Sequence, residues 1–373
     1  MNWIPESIVC RPDPLCGAEV VQLTSQPVIS SNIYCEQRYA SVDGSRIAIS
    51  RHPFGHPAEI WVCDLNTLRV GRIGEGKAIG ANPARNAVYF IATGPDGDRL
   101  MRLDLARLET ICLHAFGQQP APRVAAVSPG EDWFVGGPCP VAENRYSLQK
   151  VDLASGLVQT LCEIEDIVNP HLQFDPSRDG RLLVQINRGA GAWTPSNAEK
   201  RVGTLGATLG VVEVETGILE LLPVGRPLTP LISGHECWTG TSGRLVFTTV
   251  PNATESQIHE SGVYSMTPGD VAAHTVVSGQ PFNHIAASDD GRFFIADDYY
   301  SQRIFVGSLE GGTCRALCDS HTRQGAPQYS HAHPYLTPDN RHVVFNSNQS
   351  GIPQVYAASV PPDFLQSLAP DTP

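Results

Sequence analysis

A polar turn followed by an apolar run of strand length recurs along the whole chain. Val42-Asp43-Gly44 precedes RIAIS, Ala84-Arg85-Asn86 precedes VYFIA, and Ser128-Pro129-Gly130 precedes WFVGG. The series continues with Arg178-Asp179-Gly180 before RLLVQI, Thr241-Ser242-Gly243 before RLVFTTV, Asp289-Asp290-Gly291 before RFFIAD, and Pro338-Asp339-Asn340 before HVVFN. Each run is short and rich in Val, Ile, Leu and Phe, the signature of a buried strand. A second strand-like segment follows every run (EIWVCDL, RLMRLDL, SLQKVDL, LGVVEVE, GVYSMTP, RIFVGSL, QVYAASV), and a third follows most of them. Taken at residues 43, 85, 129, 179, 242, 290 and 339, the turns lie 42 to 63 residues apart. That is the spacing of a four-stranded propeller blade rather than of a helical solenoid. No long segment carries the 3.6-residue apolar period of an amphipathic helix.

The pattern predicts one all-β domain over residues 1–373, a seven-bladed β-propeller with blades at about 39–76, 79–117, 123–166, 169–226, 231–280, 282–320 and 328–362. The last repeat lacks an outer strand before the Pro-rich tail 363–373, while Glu19-Val20-Val21-Gln22-Leu23-Thr24 is an orphan segment of outer-strand type. Residues 17–26 are therefore expected to pair with the last blade and close the ring, since an open ring leaves two sheet edges exposed.

Composition narrows the function classes. Apolar residues make up 41% and charged residues 17%, a globular composition. The 38 acidic and 26 basic residues give a formal net charge of −12, without the basic footprint of a nucleic-acid binder. No run approaches the length of a membrane span, and the opening residues Met1 to Glu6 lack a secretory signal, so the expectation is a cytoplasmic chain with no membrane partner. The ten cysteines match no zinc spacing and read mostly as small core residues. The absence of a P-loop and of a Gly-x-Ser-x-Gly elbow argues against a nucleotide enzyme or a serine peptidase.

The candidate chemistry lies in the histidines. The inner strand of each blade precedes the catalogued turn, and histidine occupies its start in four successive blades: His171, His235, His284, and the pair His331 and His333. On a strand, His331 and His333 face the same way, and Gln328 precedes them by three residues. With His284 they form a set of three nitrogens and one oxygen without thiolate, suited to an intermediate divalent ion such as manganese. His171, farther away, is expected to touch substrate. His52, His56, His114, His259, His274, His321 and His342 lie away from the inner-strand starts and receive no role. Glu36 and Arg38 read as a solvated pair, with Arg38 the residue that would meet substrate if it turns into the channel. Trp193, Trp238 and Tyr329 read as blade packing, with sugar stacking as the functional alternative, and Tyr329 is retained as a substrate-binding candidate. Asp297, Asp298, Tyr299 and Tyr300 read as a turn.

The segment Gln328-Tyr329-Ser330-His331-Ala332-His333-Pro334, with the following LTPDNRHVVFNSNQSG, resembles the Gln-x-x-His-x-His-Pro signature of the oligogalacturonate lyases, seven-bladed propeller enzymes of pectin breakdown. NHIAASDDGRFFIADD resembles that family's other metal-ligand strand, GHECW the segment carrying its catalytic histidine, and NPHLQFDP a further family element. The resemblance is loose over all seven blades and specific from about Asn169 onward. It implies that His284, Gln328, His331 and His333 bind manganese and that His235 is the Brønsted base. It also implies a catalytic arginine in the fourth blade, for which Arg188 and Arg201 are the candidates.

Such a set suits β-elimination from a 4-linked uronide. A divalent ion on the carboxylate offsets its charge and stabilises the enolate-like state, and a neutral histidine takes the C5 proton. The expected partner is a small anionic oligosaccharide, which an acidic protein binds through a local positive field. The alternative from another class is a non-catalytic propeller that binds a glycan or a protein and keeps a residual metal site.

Overall fold

The computed structural model describes residues 1–122, 124–190, 203–323 and 328–368. Within these the chain forms an all-β propeller fold built of antiparallel meanders and divides into two compact units. One unit comprises Met1–Ala115 and Phe282–Pro373, the other Phe116–Pro281. Among the described residues no helix is long and apolar enough to cross a membrane.

The first unit holds four sheets, two of four strands and two of five. All seven catalogued runs begin the second strand of a meander, from Arg46–His52 in the first to His342–Ser347 in the last. Phe282–Ala287 and Phe293–Asp298 are buried at every position, which is why they read as continuous apolar runs. Last strands differ: Glu109–Gly117 and Val158–Glu165 expose most of their first halves. Ile47, Ile49, Ile60, Phe345 and Tyr356 lie in the core of the first unit.

The catalogued turns are more than chain reversals. Ser41, Ser288 and Thr337 each donate a hydroxyl to the Asp two residues on, at 2.6 Å in every case. Asx side chains then reach the next turn: Asn86 accepts the Val42 N–H at 2.8 Å, and Asn340 donates to Asp290 at 2.9 Å. In the second unit Asp179 accepts the Gly130 N–H at 2.5 Å. Gly44 illustrates the constraint, since its φ is +68° and a Cβ would collide with the Asp339 carboxylate.

The N-terminal segment pairs twice. Val20–Gln22 lies antiparallel to Gln354–Ser359, with Val21 opposite Ala357, and Ile8–Val9 adds outside it. Unexpectedly, Trp3–Pro5 adds a fifth strand to the first sheet beside Arg69–Glu75. Between these strands Glu6 forms a buried ion pair with Arg51 at 2.6 Å, and the Arg51 guanidinium lies 4.0 Å from the centre of the Trp61 ring.

The second unit contains the four-stranded sheet Val124–Val127 to Val158–Glu165 and one eight-stranded sheet. The sequence predicts separate blades at 169–226 and 231–280. The strands of both are present but joined by the single pair Ala207 and Ile232. The cysteines depart from expectation too: of the ten, only Cys35, Cys63, Cys237 and Cys318 are fully buried.

The Glu6–Arg51 pair yields a stability prediction. Glu6→Ala leaves a buried guanidinium without its counter-charge, so it should destabilise the protein by about 3–5 kcal/mol. Arg72→Ala, at an exposed pair, should cost less than about 1 kcal/mol. Denaturant titration of both variants checks the contrast.

Candidate metal centre

The strand Phe282–Ala287 pairs with Phe293–Asp298 through an irregularity: Phe282 faces Asp298, and the next pair is Ile285 with Ala296. Asn283 and His284 lie in that gap, and a bulge of this kind re-aims side chains. The His284 N–H donates to Asp297 Oδ1 at 2.7 Å. The His284 ring nitrogen Nδ1 lies 2.9 Å from Asp297 Oδ2 and 3.1 Å from Oδ1. Both residues are buried, at 1% and 0% exposure, so the carboxylate holds the proton on Nδ1 and makes Nε2 the basic nitrogen. The sequence assigned Asp297 to a turn. It lies within the strand Phe293–Asp298 instead and orients His284.

His331 and His333 converge by a different route from the one expected. They are not on a strand: Gln328–Ser330 forms a 3₁₀ turn, the His331 N–H donates to Gln328 O at 3.0 Å, and the strand starts only at Tyr335. A left-handed backbone at His333, φ +43°, completes the reversal. Ring centroids lie 4.2 Å apart for His284 and His333, 5.3 Å for His284 and His331, and 5.7 Å for His331 and His333. One nitrogen from each ring lies within 4.8 Å of the others, near twice a metal–nitrogen bond of about 2.0–2.1 Å. Three imidazoles, one oriented by a buried carboxylate and none accompanied by thiolate, fit an intermediate divalent ion. The Gln328 side chain is exposed at the start of the turn.

Tyr34 is a neighbour the sequence did not mark. Its ring centroid is 4.5 Å from that of His333 and 6.4 Å from that of His284, edge-on to the latter. Tyr329 is half-buried and stacks on His52, 4.1 Å between centroids, rather than packing in a blade core. Burial lowers the pKa of His52, keeping it neutral near pH 7. Arg38 corrects the sequence reading. It is buried rather than solvated, paired with Asp289 at 2.6 Å and bonded to Ala287 O at 3.2 Å, so its charge is already engaged.

The second unit, taken by itself, brings His171 and His235 together, with ring centroids 6.5 Å apart. His235 lies on Ile232–Trp238, again at a register irregularity, between Ile232 and Glu236. Its N–H donates to Ser233 Oγ at 3.2 Å, its Nδ1 is 3.3 Å from the same oxygen, and Ser233 Oγ is 2.5 Å from Thr248 Oγ1. His171 has φ +45°, accepts the Asn169 side-chain amide at Nε2 at 2.7 Å, and places Nδ1 3.9 Å from Glu236. Arg188 donates to the carbonyls of Gly206, Arg226 and Leu205 at 3.0–3.2 Å, so it braces the chain. Arg201 and Trp193 lie outside the described residues. Trp238 is buried and donates to Gln173 O at 3.1 Å, the packing role expected of it.

No family model matches the chain. An oligogalacturonate lyase of Dickeya dadantii is 21% identical over 402 residues, 95% of this chain and 96% of the relative. An oligogalacturonide lyase of Pectobacterium atrosepticum is 22% identical over 414 residues, 96% and 98% of the two chains. An oligogalacturonate lyase solved in complex with manganese shares the fold with a TM-score of 0.74 at 18% identity, covering 98% of this chain and 99% of its own. The same enzyme from Vibrio parahaemolyticus matches equally, at TM-score 0.74 and 18% identity over 97% and 99%. Fold and site thus define an all-β propeller carrying a histidine cluster of metal-binding type. Over nearly its whole length the chain is similar to oligogalacturonate lyases.

Two substitutions test the centre. Replacing His331 and His333 together by Ala should abolish stoichiometric Mn²⁺ binding, and full occupancy in that variant would show that the cluster is not the site. Asp297→Asn removes the charge that orients His284 and should weaken Mn²⁺ binding by about 10–100-fold, read by titration of the free-ion EPR signal.

Proposed function

We propose that this protein is a metal-dependent lyase that cleaves short oligogalacturonides, or a related uronide, by β-elimination. The observation that carries the reading is the His284, His331 and His333 cluster, oriented by Asp297, in a chain aligned end to end with oligogalacturonate lyases. In this reading the eight-stranded sheet counts as two blades, giving seven, and Val20–Gln22 closes the last. Cytoplasmic action on small pectin fragments accompanies it.

His284, His331, His333 and Gln328 would hold the ion, with manganese supported by the complex of the structural relative. When bound, the ion supplies positive charge to the uronate carboxylate and stabilises the enolate-like state by several kcal/mol. His235 is the base for the C5 proton. An imidazole has the right basicity near pH 7, and the Ser233–Thr248 hydroxyl pair beside Nδ1 restrains the ring. His171, held by Asn169, contacts the substrate, and Tyr329 offers a partly exposed ring to the sugar. Since Arg188 is engaged by backbone carbonyls, Arg201 is the arginine this reading assigns to the substrate.

The same engagement of Arg188 favours the second reading, a propeller that binds a glycan or protein without turnover. Elimination leaves a conjugated C4–C5 double bond that absorbs ultraviolet light. Protein with Mn²⁺ and digalacturonate should generate that absorbance, and EDTA should abolish it. If no uronide yields product, the lyase reading fails and the binding reading stands.

Two variants separate the roles. His235→Ala should lose roughly 10²–10⁴-fold in turnover while retaining Mn²⁺. Gln328→Glu keeps an oxygen ligand but adds negative charge, so metal should stay while an anionic substrate binds more weakly.

A further inference from the structure

We infer that Asn32 and Asn346 are positioning residues of the metal centre, holding the His331–His333 turn in its ligating geometry before any ion arrives. The inference rests on the metal-site reading above. The turn leaves the sheet ladder, so its three carbonyls need donors from elsewhere. All three find them in this pair. The Asn346 N–H donates to Ala332 O at 2.8 Å and its side-chain amide to His331 O at 3.2 Å. The Asn32 side-chain amide donates to His333 O at 2.7 Å. The pair is locked internally, because Asn346 Oδ1 accepts the Asn32 N–H at 2.7 Å. Both asparagines are fully buried.

The backbone around the clamp is strained on both sides. His333 has φ +43°, and Ile33, the residue after Asn32, has φ +75°, a region β-branched residues rarely enter. Such conformations persist where surrounding contacts over-determine them, and they gather at functional sites. The strain at Ile33 has a visible product, since the next residue, Tyr34, places its ring 4.5 Å from His333. A turn fixed by its carbonyls lowers the ordering cost of bringing two imidazoles to one ion, so the clamp should set metal affinity.

The experiment is Mn²⁺ titration of full-length Asn32→Ala and Asn346→Ala proteins by EPR, with thermal melting of the metal-free forms. Gln354→Ala is the comparison. This buried amide braces the carbonyls of Gln26 and Val28 in the same unit and touches no histidine of the cluster. All three variants should melt lower than wild type, but only the two asparagine variants should bind Mn²⁺ about 10–100-fold more weakly. Wild-type affinity in folded Asn32→Ala protein would overturn the inference and leave the metal site standing. An equal loss in Gln354→Ala would overturn it too, by showing general destabilisation. Should Asn346→Ala fail to fold, Asn32→Ala decides alone, since it keeps the Asn32 N–H bond to Asn346. A wild-type protein that takes up no divalent ion would overturn the metal reading and the clamp together.

Discussion

A carboxylate removed from water must be paired, and Asp297, at 0% exposure, meets that demand with two N–H groups of one residue, His284. The rest of the centre follows from this pair. The backbone bond takes the place of a missing rung between Phe282 and Ile285, and the ring bond fixes which imidazole nitrogen is basic. One side chain thereby repairs the sheet and orients a candidate ligand. The flanking register cannot slip without stranding a buried charge, so the scaffold and the chemistry are coupled at a single residue.

The protein's acidity and its proposed substrate are reconciled at short range. A net charge of −12 repels a polyuronide at distance, and exposed pairs such as Arg72 with Glu59 do little to change that. Arg38 and Arg51, both buried, are matched by Asp289 and Glu6. In the proposed reading, positive charge for the substrate comes from an ion held where the three rings meet, together with Arg201, so that the field is reversed only locally.

Much of this was legible in the chain. A strand follows every catalogued turn, and at several of them Asx and Ser/Thr side chains close the turn or bond a neighbouring one. Counting histidines at inner-strand starts found the cluster, since repeat position carries spatial position in a repetitive fold. The supporting residues were not legible. Asn32 and Asn346 are separated by 314 positions, and nothing local marks an asparagine as a partner for so distant a turn. Asp297 lay in view within FIADD but read as polar punctuation, because strand-end acids are usually solvated. The alternation His-Ala-His imitates a strand, whereas the 3₁₀ turn before it and the left-handed φ at His333 make it a turn.

The candidate histidines lie where strand periodicity fails, although other irregular rungs of the fold carry no such residue. In a regular ladder each backbone group is satisfied by the neighbouring strand and side chains alternate between faces, so adjacent residues cannot converge. Convergence needs a break, and each break exposes backbone groups that side chains must satisfy. His284 sits at a register gap filled by Asp297, His235 at a gap where Ser233 accepts its N–H, and His331 and His333 on a turn whose carbonyls are taken by two asparagines. The polar residues that repair these breaks are therefore as diagnostic of the site as the histidines. A repetitive β chain should be searched for buried Asp, Asn and Ser beside its irregular rungs as well as for ligands, because a buried backbone group that leaves the ladder needs another partner.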